Sequence, residues 1–252
     1  MEYIKTEQQS GVGTIIFNRP AKRNAFNTKM YEEFCTALAE FQKNVEVKVI
    51  VLSGEGKDFC SGNEIDGFKL GDKIDPKILS DRYKTASTNI GYLLAETKKP
   101  LIAKAQGRAI GFGATMLLHC DFVLIDESAS LIFPFASLGI VPEVGSSQLL
   151  VERLGYLDAA KIILRDHVVS AQQAKALKLV SDIVEPHALQ REVTALASEL
   201  SAKPYEALVA CKSLLKRPFE PIEARIHEEF MMLARQLNSE ETQKIMHHLS
   251  GV

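Results

Sequence analysis

The passage Phe133-Pro134-Phe135-Ala136-Ser137-Leu138-Gly139-Ile140-Val141-Pro142-Glu143-Val144-Gly145-Ser146-Ser147 holds a single carboxylate among apolar residues and glycine. Such a setting desolvates the carboxylate, raises its pKa and makes it usable as a general base near neutral pH. The same pattern suits an acid in the first turn of a helix opened by Pro142, where the helix dipole favours it, so residue types alone leave both readings of Glu143 open. Two glycine-rich turns offer complementary chemistry. Phe59-Cys60-Ser61-Gly62-Asn63-Glu64-Ile65 and Gly111-Phe112-Gly113 each follow a strand-like run. Gly62 relaxes the backbone so that the next amide can point into a cleft, and the amides of the second turn open a helix at its positive end. Facing one another, two such donors make an oxyanion hole for a thioester or enolate oxygen. Read singly, each is an ordinary tight turn.

Other polar residues are expected to serve structure. Asp121 ends a helix, where an acid opposes the dipole, so a structural hydrogen bond is its expected role. His119, on an apolar helix, reads as a satisfied core or interface histidine. Lys104 and Arg108 flank the cleft and read as side chains that snorkel from element edges. No nucleophile elbow, P-loop, HExxH or His/Cys cluster occurs, and His247-His248 reads as a solvated pair in the tail, so no metal site is expected. Cys35, Cys60, Cys120 and Cys211 lack CxxC spacing and are expected as reduced, mostly buried thiols of a cytoplasmic protein.

The elements that must position these groups alternate. Residues 11–17 read as a strand ended by Asn18-Arg19-Pro20. Asn27-Thr28 caps a helix over 29–43, in which Tyr31, Phe34, Cys35, Leu38 and Phe41 recur at helical spacing. Strands are predicted over 47–52 and 101–105. Between them lie a loop over 69–76 and a helix of about 18 residues, by its apolar spacing, that ends before Lys98-Lys99-Pro100. A helix over 114–120 and strands over 122–125 and 129–133 follow. This alternation predicts an α/β fold with a largely parallel sheet, whose ligands sit at the carboxyl ends of strands. The texture changes near residue 190, dividing a βα core over 1–189 from a helical region over 190–252.

Composition bounds the class. The chain has 252 residues, 46% hydrophobic and 25% charged, enough to bury a core without disulfides or metals. Thirty basic residues against thirty-two acidic ones leave no basic excess for nucleic acid. No apolar run is long enough to span a membrane, and neither a signal peptide nor a Ser-Lys-Leu terminus is present, so a cytoplasmic location is expected.

The order and spacing of several pieces resemble the crotonase, or enoyl-CoA hydratase/isomerase, superfamily over nearly the whole chain. They are Asn18-Arg19-Pro20 with Asn24-Ala25, Phe59 to Asn63, Lys99 to Ala103, Gln106 to Gly113, Cys120-Asp121 and Ser137 to Glu143. The resemblance implies a spiral of ββα units in two stacked sheets and a helical carboxyl-terminal region that drives assembly into a homotrimer or hexamer. It implies an acyl-CoA substrate, with CoA belonging to the substrate and no separate cofactor. It casts the amides of Asn63 and Phe112 as oxyanion donors and Glu143 as the catalytic carboxylate. Lys22, Arg23, Ala25, Ser61, Gly62, Ile65, Gly111, Phe135 and Leu138 become substrate contacts, the 22–25 and 61–65 segments meeting the CoA adenine and pantetheine.

The chain also departs from the family's hydratases, which hold a water between two glutamates. The corresponding positions are Thr115 and Phe135, neither of which titrates usefully at neutral pH. Within the superfamily the pattern around Pro134-Phe135 and Pro142-Glu143 is closest to the peroxisomal-type 3,2-enoyl-CoA isomerases, which use a single glutamate. The expected reaction is therefore transfer of a proton from C2 to C4 of a 3-enoyl-CoA by Glu143. A one-glutamate hydratase and a catalytically silent acyl-CoA-binding module are the alternatives.

Overall fold

The structure, a computed structural model, describes residues 1–64, 90–216 and 221–249. The predicted loop over 69–76, the start of the long helix and Ile65 lie outside the described residues. Strands β1 (Ile4–Gln9), β2 (Val12–Phe17), β3 (Val49–Gly54), β4 (Leu101–Ala105), β5 (Arg108–Ile110), β6 (Phe122–Asp126), β7 (Ser130–Ile132), β8 (Val169–Ser170) and β9 (Asp182–Val184) form two sheets. The larger has the order β1-β2-β3-β4-β6-β9 and is parallel except for the β1–β2 hairpin. The smaller has the order β5-β7-β8. The single sheet read from alternation is thus two, as the resemblance implied.

The second sheet escapes a reading by alternation because β5 follows β4 after only Gln106 and Gly107. That short link, too short for a helix, turns the chain out of one sheet and into the other. The hairpin strand β1 was also illegible. It is an edge strand in which only Ile4 is buried, so Lys5 to Gln9 carry no apolar period.

Helix α1 (Thr28–Lys43) starts where Asn27 accepts a hydrogen bond from the Met30 amide at 2.9 Å. It buries Met30, Phe34, Cys35, Leu38 and Phe41 in the main core, packing on β1 and β2. Among the described residues the further α-helices are α2 (Ile90–Ala95), α3 (Phe112–Leu117), α4 (Ser146–Leu154), α5 (Tyr156–Leu164), α6 (Ala171–Ala176), α7 (Leu189–Ser201), α8 (Tyr205–Leu215), α9 (Ile222–Leu237) and α10 (Glu240–Leu249). Helix α7 covers the far face of the large sheet, packing Leu189, Val193, Ala197 and Leu200 on Val49, Val51, Ile102 and Leu124. With α1 and α7 on opposite faces, the central strands are apolar on both sides, as β3 shows in being buried throughout. Among the described residues no helix is long and apolar enough to cross a membrane.

Candidate active site

The segment after β3 runs beside β5 and pairs with it through the Cys60↔Ala109 bridge, with the Ile110 amide donating to the Cys60 carbonyl at 2.9 Å. Gly62 lies in the left-handed region at φ 86°, and a Cβ there would stand 2.7 Å from the Ile110 carbonyl oxygen and 3.6 Å from the Phe112 nitrogen. Gly113 is equally constrained, since its Cβ would meet the Cys60 carbonyl oxygen at 2.4 Å. Only glycine allows the two turns to touch. The two turns are therefore in direct contact. Among the described residues neither the Asn63 amide nor the Phe112 amide has an acceptor. Helix α3 begins at Phe112 and ends at Leu117, shorter and earlier than the predicted 114–120, so the Phe112 amide is a free terminal amide of a short helix with little macrodipole behind it.

Glu143 does not sit in a helix. Helix α4 begins at Ser146 with Gly145 as its N-cap, and no acid lies in its first turn, which overturns the reading of Glu143 as a first-turn glutamate behind Pro142. The carboxylate is half-buried near Cys60 and Asn63. Burial raises its pKa above the usual carboxylate range, while hydrogen bonding from the Asn63 side chain opposes that rise. The Cys60 thiol, fully buried and beside Glu143, is pushed up to about 12 and stays protonated. Asn63 is itself oriented: the Tyr31 hydroxyl donates to its Oδ1, which leaves Nδ2 for the carboxylate. The Tyr31 ring packs on Phe112 and Phe26, each at 5.0 Å between centroids. Tyr31 entered the sequence reading only as one position of an apolar helix face, and a tyrosine among phenylalanines there was the available signal.

The other expected site residues fall into two groups. Ser61 donates from its amide to the Arg23 carbonyl at 2.9 Å, and the Phe26 amide donates to the Gly62 carbonyl at 2.8 Å, so the 22–25 and 61–64 segments lie together. Arg19 clamps them by donating to the Ala25 carbonyl at 2.5 Å and pairing with Glu64 at 3.2 Å. Lys22 and Arg23 are exposed, 3.8 Å from Glu64 and from Asp58 respectively. Gly111 stands at the start of α3, and Phe135 and Thr115 are buried, the Thr115 hydroxyl spent on the Phe112 carbonyl at 3.1 Å. Leu138 is 55% exposed, in a loop with exposed Ile140 and Val141, so it does not line an enclosed wall in the single chain.

Asp121 makes the structural hydrogen bond expected of it, although α3 ends at Leu117, four residues before it. Asp121 accepts from the Leu101 amide at 2.7 Å and pairs with Lys212 at 2.5 Å. Arg108 donates to Asp58, Lys104 donates to Gln190, and Cys35, Cys60 and Cys120 are buried while Cys211 is exposed. A cavity of about 590 Å³ near α8 and α9 contains none of Asn63, Phe112 or Glu143. Among the described residues no three His, Cys, Asp or Glu side chains group as metal ligands.

The family model for enoyl-CoA hydratase/isomerase matches residues 7–249. The chain belongs to that family. The enoyl-CoA delta isomerase 2 of Homo sapiens is 30% identical over 254 residues, spanning 99% of this chain and 64% of that longer protein. The peroxisomal Delta(3,5)-Delta(2,4)-dienoyl-CoA isomerase of Arabidopsis thaliana is 31% identical, over 87% of this chain and 82% of that one. The 2,3-dehydroadipyl-CoA hydratase of Escherichia coli (strain K12) is 29% identical, over 87% and 84%. The crystal structure of an enoyl-CoA hydratase subunit I from Geobacillus kaustophilus HTA426 superposes with a TM-score of 0.89 at 29% identity, over 99% of this chain and 95% of that one. The fold is that of crotonase, and the protein is an enzyme of this family acting on acyl-CoA.

Proposed function

We propose that the protein moves the double bond of a 3-enoyl-CoA to the 2-position, with Glu143 as the single base. The observation that carries this reading is one desolvated carboxylate beside the Asn63 turn, which itself touches the Phe112 turn, while the family resemblance puts a threonine and a phenylalanine where a hydratase would hold its water between two acids. The thioester oxygen accepts from the Asn63 and Phe112 amides, which stabilise the charge that forms when the C2 proton leaves. Glu143 takes that proton, the electron pair delocalises over C2, C3 and C4 as a dienolate, and the same carboxylic acid returns the proton at C4. The double bond then lies between C2 and C3, and the base regains its starting charge. Buried Phe135 leaves no second carboxylate to activate water against the product. This route calls for no metal or redox cofactor, and CoA is part of the substrate. Asn63 and Phe112 act through backbone amides, with the 22–25 and 61–64 segments meeting the CoA portion.

A hydratase working through Glu143 alone is the second reading, favoured by the likeness to the 2,3-dehydroadipyl-CoA hydratase. The two are separated by mixing the protein with 3-hexenoyl-CoA and following the absorbance of the conjugated 2-enoyl thioester, with crotonyl-CoA hydration measured alongside. Isomerisation with negligible crotonyl-CoA hydration is expected. Rapid formation of 3-hydroxyacyl-CoA without isomerisation would move the assignment to the hydratase.

A further inference from the structure

We infer that His119 is a positioning residue for Glu143, fixing the base relative to the oxyanion hole through the backbone of Val144; the inference rests on the reading of Glu143 as the base. Val144 sits at φ 56°, in the left-handed region, followed by Gly145 at φ 69°. Glycine adopts that conformation freely, but a β-branched residue resists it because its Cβ crowds the backbone. The bend that aims Glu143 is thus one the chain would leave unless it were held. The His119 ring holds it: Nε2 lies 2.8 Å from the Val144 carbonyl oxygen. A carbonyl can only accept, so the proton is on Nε2 and the nitrogen is committed to this bond.

The histidine is itself firmly placed. It is buried, and burial, aided by the Lys216 and Arg153 cations, holds its pKa below the usual imidazole value against the opposing pull of the Val144 carbonyl. Its own carbonyl accepts from Lys216, the residue just past α8, at 3.3 Å, and the Leu118 carbonyl before it accepts from Arg153 on α4. His119 lies just past the end of α3, the helix whose first amide, Phe112, is an oxyanion donor. One short, buried segment therefore carries an oxyanion donor at one end and the tether to the base at the other. The distance between base and oxyanion, which proton transfer depends on, is set by that segment.

The test compares His119→Leu, which removes the donor, with His119→Gln, whose amide nitrogen can donate at similar reach. Glu143→Gln is measured in parallel. Turnover of 3-hexenoyl-CoA and amide hydrogen exchange over residues 143–146 are read for each variant. His119→Leu should lower kcat by about tenfold or more with KM within about twofold, since small misplacements of a base are costly, and should speed exchange in the segment. His119→Gln should recover most of both. In a Val144→Gly background, where the bend needs no tether, loss of the histidine should cost no more than about threefold. That background also carries the comparison should His119→Leu alone not fold. Unchanged exchange, or faster exchange with unchanged kcat, would overturn the inference, as would a glutamine variant as impaired as the leucine one. Full turnover by Glu143→Gln would instead sink the reading of the base, a result distinct from any of these.

Discussion

At the scale of residues, Glu143 is held between two opposing influences. Burial favours its neutral form, and the Asn63 side chain, turned by the Tyr31 hydroxyl, favours the charged one. In the proposed mechanism Glu143 must be ionised to act, so kcat/KM should fall on acidification through an apparent pKa above the ordinary carboxylate range. Asn63→Leu keeps the backbone donor but removes the side chain that stabilises the carboxylate. Its acid limb should move to still higher pH, with a larger loss at pH 6 than at pH 8, and Tyr31→Phe should move it the same way by less. A pH–rate profile checks both; an acid limb unmoved by Asn63→Leu would contradict the electrostatic account. The carboxylate was legible in the sequence because its apolar setting is local, as was Gly62 beside Asn63. His119 was legible as a satisfied, buried histidine; its partner was not, because Val144 lies 25 residues away and no local pattern encodes a left-handed valine.

At the scale of elements, buried cations join helices to the sheet. Lys99, on the strand-entry segment before β4, donates to the Phe41 and Asn44 carbonyls at 2.6 Å, where α1 ends. Lys212 brings α8 to the same place, donating to the Lys99 carbonyl at 2.6 Å and pairing with Asp121. Desolvation pulls the Lys212 pKa down and the adjacent carboxylate pulls it up, the first being the larger. Removing Lys212 leaves the Asp121 carboxylate, 19% exposed, without its cation, so Lys212→Ala should destabilise the protein by about 2 kcal/mol in urea unfolding. A loss under about 0.5 kcal/mol would mean that α8 is held by its apolar contacts alone. Helices with long apolar periods, such as α1, and runs such as β4 could be read from the sequence within a few residues. Lys212 could not, since its pairing with Asp121 spans 91 residues and its neighbours read as an ordinary amphipathic helix. The division into two sheets was hidden too, because Gln106 and Gly107 between β4 and β5 look like any turn.

At the scale of the whole molecule, α9 presents Ile222, Ile226, Phe230, Leu233 and Leu237 on one side, each between 40% and 65% exposed. A single chain gains nothing from an apolar stripe in water, and its burial between copies fits the homotrimer or hexamer implied by the family resemblance. Light scattering at micromolar concentration should report a trimer or a multiple of it, and Phe230→Glu with Ile226→Glu should shift the protein toward smaller species. A monomeric wild type would contradict this. The helical character of the tail was plain from its spacing; which side meets a neighbour depends on surfaces that no one segment contains.

The central claim is that one carboxylate carries the proton from C2 to C4. Glu143→Gln keeps the shape of the side chain and removes its basicity. Because the folded protein holds the Glu143 proton more tightly than the unfolded chain does, ionisation of Glu143 lowers stability as pH rises through its pKa, and glutamine lifts that cost. The variant should therefore fold, melt at pH 7 no lower than the wild type, and turn over 3-hexenoyl-CoA at least about 100-fold more slowly. A folded Glu143→Gln protein with near-full turnover of 3-hexenoyl-CoA would contradict the account.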